Sequence, residues 1–134
     1  MGGVEWIVEA YGCDRDELAS LPALRRLFAR LVAELCLRPV GETQWRQFEG
    51  AGGITGLCLL AESHLACHTF PEYGSLCLNL FCCKPRPGWD FEGNLQREFG
   101  ARAVSVRRLE RTYQTDEHPC ELPQLRRADP VPLV

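Results

Sequence analysis

The sequence predicts an α+β fold: a two-layer sandwich of one antiparallel sheet with two helices on one face, in the order β-α-β-β-β-α-β. Three observations predict it. Two segments repeat their apolar residues with helical spacing, and five others are short, β-prone runs. Strands that neighbour in sequence are joined by short links, which favours antiparallel pairing with the helices gathered on one side. The 134 residues, 46% hydrophobic and 25% charged, suit one soluble domain with one core.

The first strand is Val4 to Tyr11, with Val4, Trp6, Val8 and Ala10 on one face. Gly12-Cys13-Asp14 ends it. A helix follows from near Ser20-Leu21-Pro22, where Ser20 can accept from the orphan amides of the first turn and Pro22 needs no partner. Its stripe of Leu24, Leu27, Phe28, Leu31, Val32 and Leu35 has the i, i+3, i+4, i+7 spacing of one buried face. Pro39 stops it. Thr43 to Phe48 and Ile54 to Ala61 read as a hairpin around Gly50-Ala51-Gly52-Gly53. Leu76 to Cys83 is apolar on both sides and is expected to be covered on both. Gly88 to Phe99 is a second helix, with Phe91, Leu95 and Phe99 inward and Gly100 as its stop. Ala103 to Leu109 is the last strand. Two helices on one face leave the other face of the sheet bare, so a second copy of the chain is expected to pack there, sheet against sheet. Residues 1–113 form the domain. Residues 114–134, with Pro119, Pro123, Pro130 and Pro132 and no periodicity, read as a flexible tail.

Composition narrows the function. A net charge of −3 gives no footprint for nucleic acid or a membrane surface. No apolar run has the length of a membrane span, and MGGVEW has no signal-peptide pattern, so a cytoplasmic location is expected. Eight cysteines would suit a disulfide scaffold in a secreted chain; in the cytosol they are expected as thiols. Most sit in apolar runs such as GLCLL and SLCLNLFCC, where Cys acts as a small hydrophobe. The absence of any CxxC leaves no metal site expected.

The segment ESHLACHTFPEYG, Glu62 to Gly74, needs a separate account, since it gathers Ser63, His64, His68, Glu62 and Glu72 with little apolar filling. It reads as a polar loop between strands. Ser63 with His68 five residues on suggests a nucleophile and its base. A hydrolase would usually set its Ser between glycines at a strand-to-helix elbow, and here Glu62 and His64 flank it.

AESHLACHTFPEYGSLCLNLFCC resembles the segment around the self-processing serine of the small prokaryotic S-adenosylmethionine decarboxylases. The resemblance extends upstream to EAYGCD and GGITG and downstream to RRLER, covering the chain to about residue 112. It implies that the Glu62-Ser63 bond cuts itself: the Ser63 hydroxyl attacks the Glu62 carbonyl, an ester forms, and β-elimination leaves a pyruvoyl group at the new terminus. It assigns the assisting hydroxyl to Thr55 and the assisting His to His68. The pyruvoyl ketone would condense with the substrate amine and draw off the electrons that departing CO₂ leaves, as PLP does elsewhere. The resemblance assigns the proton-returning thiol to Cys83, the ribose-holding acid to Glu72 and the adenine-stacking aromatic to Phe48. The product would supply aminopropyl groups for spermidine synthesis.

Each residue also has a plain structural reading. Ser63 and His68 could form a satisfied turn network, Cys83 could fill core like Cys82, Glu72 could lie at the surface, and Thr55 suits any strand. His64 reads as structural. Three positions depart from the family pattern: Glu5-Trp6 where a His-Leu pair is common, Asn79 where Asp is common, and Thr55 where Ser is usual. Glu5 could therefore pair with a guanidinium or ammonium. Two alternatives follow: arginine or ornithine decarboxylation on the same scaffold, marked by a second acid near the substrate tail, and a processing-dead regulatory homologue.

Overall fold

The computed structural model describes residues 2–61, 63–84 and 86–113. Six strands form one antiparallel sheet: β1 (Gly2–Tyr11), β2 (Gln44–Gln47), β3 (Ile54–Leu60), β4 (Ser63–Phe70), β5 (Ser75–Cys82) and β6 (Ala103–Thr112), in the spatial order β2-β3-β4-β5-β1-β6. The helices are α1 (Arg15–Leu18), α2 (Leu21–Glu34) and α3 (Phe91–Phe99). The α+β class and the single helical layer agree with the sequence reading. The tail 114–134 lies outside the described residues, and no described helix is long and apolar enough to cross a membrane.

The structure corrects the sequence reading at Ser63 to Phe70, which is a central strand and not a loop. Its alternation is plain in hindsight: Leu65, Cys67 and Thr69 are buried, while Ala66, His68 and Phe70 point the other way. Polar side chains masked that period. The order accordingly gains a strand, and it gains the one-turn helix α1, capped by Asp14 through the amides of Asp16 and Glu17.

The remaining elements lie close to their expected places. The Ser20 hydroxyl accepts from Ala23 N at 3.2 Å to start α2, and Asp90 accepts from Gly93 N to start α3 three residues later than expected. Gly100, with φ +66°, closes α3 in the left-handed conformation that glycine adopts without cost.

One face of the sheet is sealed by all three helices. Val4, Trp6, Val8 and Ala10 of β1, Leu65 and Cys67 of β4, and Leu76, Leu78, Leu80 and Cys82 of β5 are buried there. Trp6 meets Phe91 of α3, Phe28 of α2 packs on Trp45 at 4.7 Å between ring centres, and Arg30 of α2 pairs with Glu98 of α3 at 2.6 Å. Each fully buried Leu or Phe contributes about 1.5–3 kcal/mol. The other face carries no helix. Leu57, Leu59, Phe70 and Leu109 are exposed on it, and Ile7, Cys77 and Phe81 are half-buried. β5 is therefore covered on one side only within a single chain.

Thr69 ties the layers together at the base of β4. Its hydroxyl donates to Leu18 O of α1 at 2.7 Å and accepts from Ile54 N of β3 at 2.9 Å, wholly out of water. Thr69→Val keeps the shape and strands both backbone groups. Unfolding by urea should show a loss of about 2–4 kcal/mol with an unchanged m-value.

Candidate active site

The register of β4 separates the expected catalytic residues. Ser63 pairs with Leu60 on one side and Cys82 on the other, and His68 pairs with Thr55 and Cys77. Five residues of strand span about 17 Å, and an odd offset puts the two side chains on opposite faces. One chain does not bring His68 to Ser63. Two clusters result, one at each end of β4.

At the far end, Thr55 Oγ1 and His68 Nδ1 are 3.0 Å apart on the open face. A cleft of about 360 Å³ opens beside them, lined by Phe48, Phe70, Glu72 and Glu49. Glu72 stands on the 3₁₀ turn Pro71–Tyr73 that follows β4, ended by Gly74 at φ +64°. Phe48 sits past the end of β2, where its N–H donates to Gly53 O at 2.8 Å, and the Arg46 guanidinium lies 5.1 Å over its ring. Thr55, His68, Glu72 and Phe48 are thus brought together. Glu49 is an acid that sequence reasoning missed; its only signal was adjacency to Phe48.

At the near end, Ser63 is the half-buried first residue of β4, on the helix side by alternation. Position 62, the expected cutting partner, lies outside the described residues. Cys83 follows the last residue of β5 and is half-buried, and its carbonyl accepts from the Tyr113 hydroxyl at 3.1 Å. The Cys82 thiol beside it is buried, which pushes its pKa up, while the Arg86 guanidinium and the Ser63 hydroxyl act in the opposite direction. Burial pushes Cys13 up to about 11 and Cys67 up to about 12, and raises Cys77 as well, so these remain thiols that pack. The described residues hold no group of three or more His, Cys, Asp or Glu arranged for a metal ion.

Between the clusters, a polar chain crosses the open face over four strands. Asn79 Nδ2 donates to Glu5 Oε1 at 2.9 Å, so its Oδ1 faces His64 Nε2 at 2.9 Å and that nitrogen carries the proton. Arg111 completes the line by pairing with Glu5, and Arg107 pairs with Glu9 four residues further along β1. Glu5 does meet a guanidinium, but one from its own sheet. Glu5 and Asn79, two of the departures from the family pattern, touch each other. The Asn79 hydrogen bond, followed by that of Arg111, holds the Glu5 carboxyl below its usual range.

Known proteins match this chain along most of its length. The family model for S-adenosylmethionine decarboxylase matches residues 4–112. The S-adenosylmethionine decarboxylase proenzyme of Carboxydothermus hydrogenoformans is 30% identical over 112 residues, 83% of this chain and 87% of that protein. The proenzyme of the same name from Picrophilus torridus is 32% identical over 116 residues, covering 86% and 88%. The crystal structure of the adenosylmethionine decarboxylase from Aquifex aeolicus superposes with a TM-score of 0.72 at 24% identity, over 87% of this chain and 96% of that one, and shares the fold.

The polar chain makes two predictions. Asn79→Asp sets a second carboxylate against Glu5, and should cost about 1–3 kcal/mol at pH 7 in denaturant titration. Because the folded pKa of Glu5 is lowered, its stabilisation is complete above the unfolded value of about 4.3 and is lost as pH falls through the folded one. The gap in urea midpoint between the native chain and Glu5→Gln should therefore be full at pH 7, begin to narrow as pH falls past the unfolded value, and close once the folded carboxyl is protonated.

Proposed function

The chain belongs to the S-adenosylmethionine decarboxylase family, a family of carboxy-lyases, and from that premise we propose that it decarboxylates S-adenosylmethionine with a pyruvoyl group made from its own Ser63. The observation that carries the self-processing part is the placement of Ser63. It opens a central strand, held by Leu60 on one side and Cys82 on the other, at the end of a connection of two residues from β3. A terminus created there would be fixed in place on both flanks. The "proenzyme" in the relatives' names supports a precursor that matures by cutting.

A pyruvoyl ketone supplies an electron sink for the pair left by departing CO₂. The chain's residues do the rest. Glu72 accepts from the ribose hydroxyls, and Phe48 and Phe70 offer flat apolar faces for adenine and for the sulfonium cation. Cys83 returns a proton to the carbon that has lost its carboxylate. Thr55 and His68 assist the cutting of the 62–63 bond.

The separation of the two clusters supports a homodimer. Consider a two-fold axis lying between two sheets packed open face to open face, perpendicular to β4. It runs the two β4 strands antiparallel and sets the Ser63–Cys83 end of one copy over the Thr55, His68 and Glu72 end of the other. Two equal composite sites form, and Leu57, Leu59, Phe70 and Leu109 are covered. Residue 63 lies at the rim of the sheet, where a cut terminus is reachable from the open face.

Glu49 gives a second reading some footing. It is a second acid in the Glu72 cleft, the sign expected of an arginine or ornithine decarboxylase. Release of CO₂ from S-adenosylmethionine, arginine and ornithine, compared side by side, decides the substrate.

Intact mass of the purified protein under denaturing, reducing conditions tests the processing. Two chains divided between Glu62 and Ser63, the second blocked by a pyruvoyl group, are expected. Ser63→Ala should remain one chain without activity, and a fully active Ser63→Ala protein would sink the scheme. His68→Ala should slow processing by roughly 10²–10⁴-fold. Cys83→Ala should still be cut and turn over about 10²–10⁴-fold more slowly, with progressive inactivation.

A further inference from the structure

The cleft beside Thr55 and His68 holds two carboxylates, Glu49 and Glu72, and neither Lys nor Arg lines it among the described residues. A nucleoside asks different things of two acids. The two oxygens of one carboxylate can accept from both ribose hydroxyls, the role of Glu72. The adenine base has one further donor group, its exocyclic amine, which lies in the plane of the ring. An acceptor for that amine must stand beyond the edge of the side chain on which the base stacks.

Glu49 has that position. It follows Phe48 directly, in the turn that joins β2 to β3. Arg46 lies over the Phe48 ring at 5.1 Å and is not part of the cleft lining, so a base entering from the cleft meets the opposite face. The turn is held at both ends. Phe48 N–H donates to Gly53 O at 2.8 Å, and the Gln47 side-chain amide donates to Gly52 O at 3.1 Å and to Ala19 O at 2.8 Å. Gly53 sits against β4 because it has no side chain: a Cβ there would stand 2.7 Å from Thr69 O. Glu49 itself is exposed and makes no ion pair or side-chain hydrogen bond among the described residues, so its carboxylate is open to a ligand.

We propose that Glu49 reads the base: its carboxylate accepts from the exocyclic amine of an adenine stacked on Phe48, while Glu72 keeps the ribose. This rests on the reading of S-adenosylmethionine as the substrate. A hydrogen-bonding acid and a charge-pairing acid differ in what can replace them. Glutamine keeps an accepting oxygen and loses the charge, whereas leucine loses both. An acid that met a guanidinium, an ammonium or the sulfonium would lose its function in either change.

Adenosine and purine riboside differ only in the exocyclic amine, and they separate these roles. Neither is a cation, and neither carries an aliphatic amine that could condense with a ketone. Their dissociation constants are measured by calorimetry on the full-length native protein, Glu49→Gln and Glu49→Leu. The native protein should bind adenosine about tenfold more tightly than purine riboside, the low end for a hydrogen bond to a charged group because Glu49 is exposed. Glu49→Gln should keep most of that gap, and Glu49→Leu should bind the two nucleosides alike. The kcat/KM for S-adenosylmethionine should fall about tenfold in Glu49→Leu, through KM, and far less in Glu49→Gln. If S-adenosylmethionine releases CO₂ but adenosine has no measurable affinity, or no advantage over purine riboside, or an advantage that Glu49→Leu retains, the assignment of Glu49 alone is overturned. Equal losses of S-adenosylmethionine activity in Glu49→Gln and Glu49→Leu overturn it too, and give the acid a charge role. A native protein that releases no CO₂ from S-adenosylmethionine, whatever arginine or ornithine give, removes the substrate reading and this one with it.

Discussion

The rest of the structure depends on the position of β4 inside the sheet. Eight residues, Ser63–Phe70, are laddered to β3 on one side and β5 on the other, and the Thr69 hydroxyl locks the strand to α1 beneath. A pleated strand alternates its side chains, so this single placement decides which polar groups can meet. Thr55 and His68 are directly opposed and must touch. Ser63 and His68 are five apart and cannot. A loop would have left both outcomes open.

Alternation also explains how a central strand carries so many polar groups. The polar side chains of β4 take partners from its neighbours: Thr55 for the exposed His68, Asn79 for the half-buried His64, and two backbone groups for the buried Thr69, the one that must have them. The open face is thus polar along one diagonal and apolar around it, with Leu57, Leu59 and Leu109 left in water. An apolar surface with paired charges inside it suits burial against another protein surface better than permanent exposure. The charges would be costly there if unpaired, and both Glu5 and Glu9 arrive with an arginine already in place.

Two of the three helices and five of the six strands were legible in the sequence because each has one clear period and a strong stop, such as Ser20 before α2 and Gly100 after α3. The one-turn α1 is too short to show a period, and the sequence pattern puts the start of α3 at Gly88, ahead of its Asp90 cap. β4 was not legible, although its Leu65, Cys67 and Thr69 keep the two-residue period. Two histidines, a serine and a threonine lowered its hydrophobicity below what a lone strand shows, and only its neighbours reveal that those groups are satisfied. The candidate site was legible by type but not by arrangement: motifs name residues, while the register across β3, β4 and β5 sets their distances. Glu49 had only its place next to Phe48.

A cut between residues 62 and 63 would open the β3–β4 hairpin, and the fold has the means to tolerate it. A cut turns one chain into two and removes the effective concentration that the link supplied, so the native ladders alone must then hold the two parts together. The ladders that hold β4 do not pass through the connection: it keeps six pairs with β3 and eight with β5. What a cut does endanger is local order, because a strand that begins at a free terminus frays from its first residue. Here that residue is flanked on both sides by paired backbone. The next, His64, is held through Asn79 and packs its ring 5.7 Å from that of Phe81. The polar diagonal on the open face therefore has a mechanical consequence apart from any contact with substrate: it pins the second residue of the new chain, and so limits the range over which the first can move.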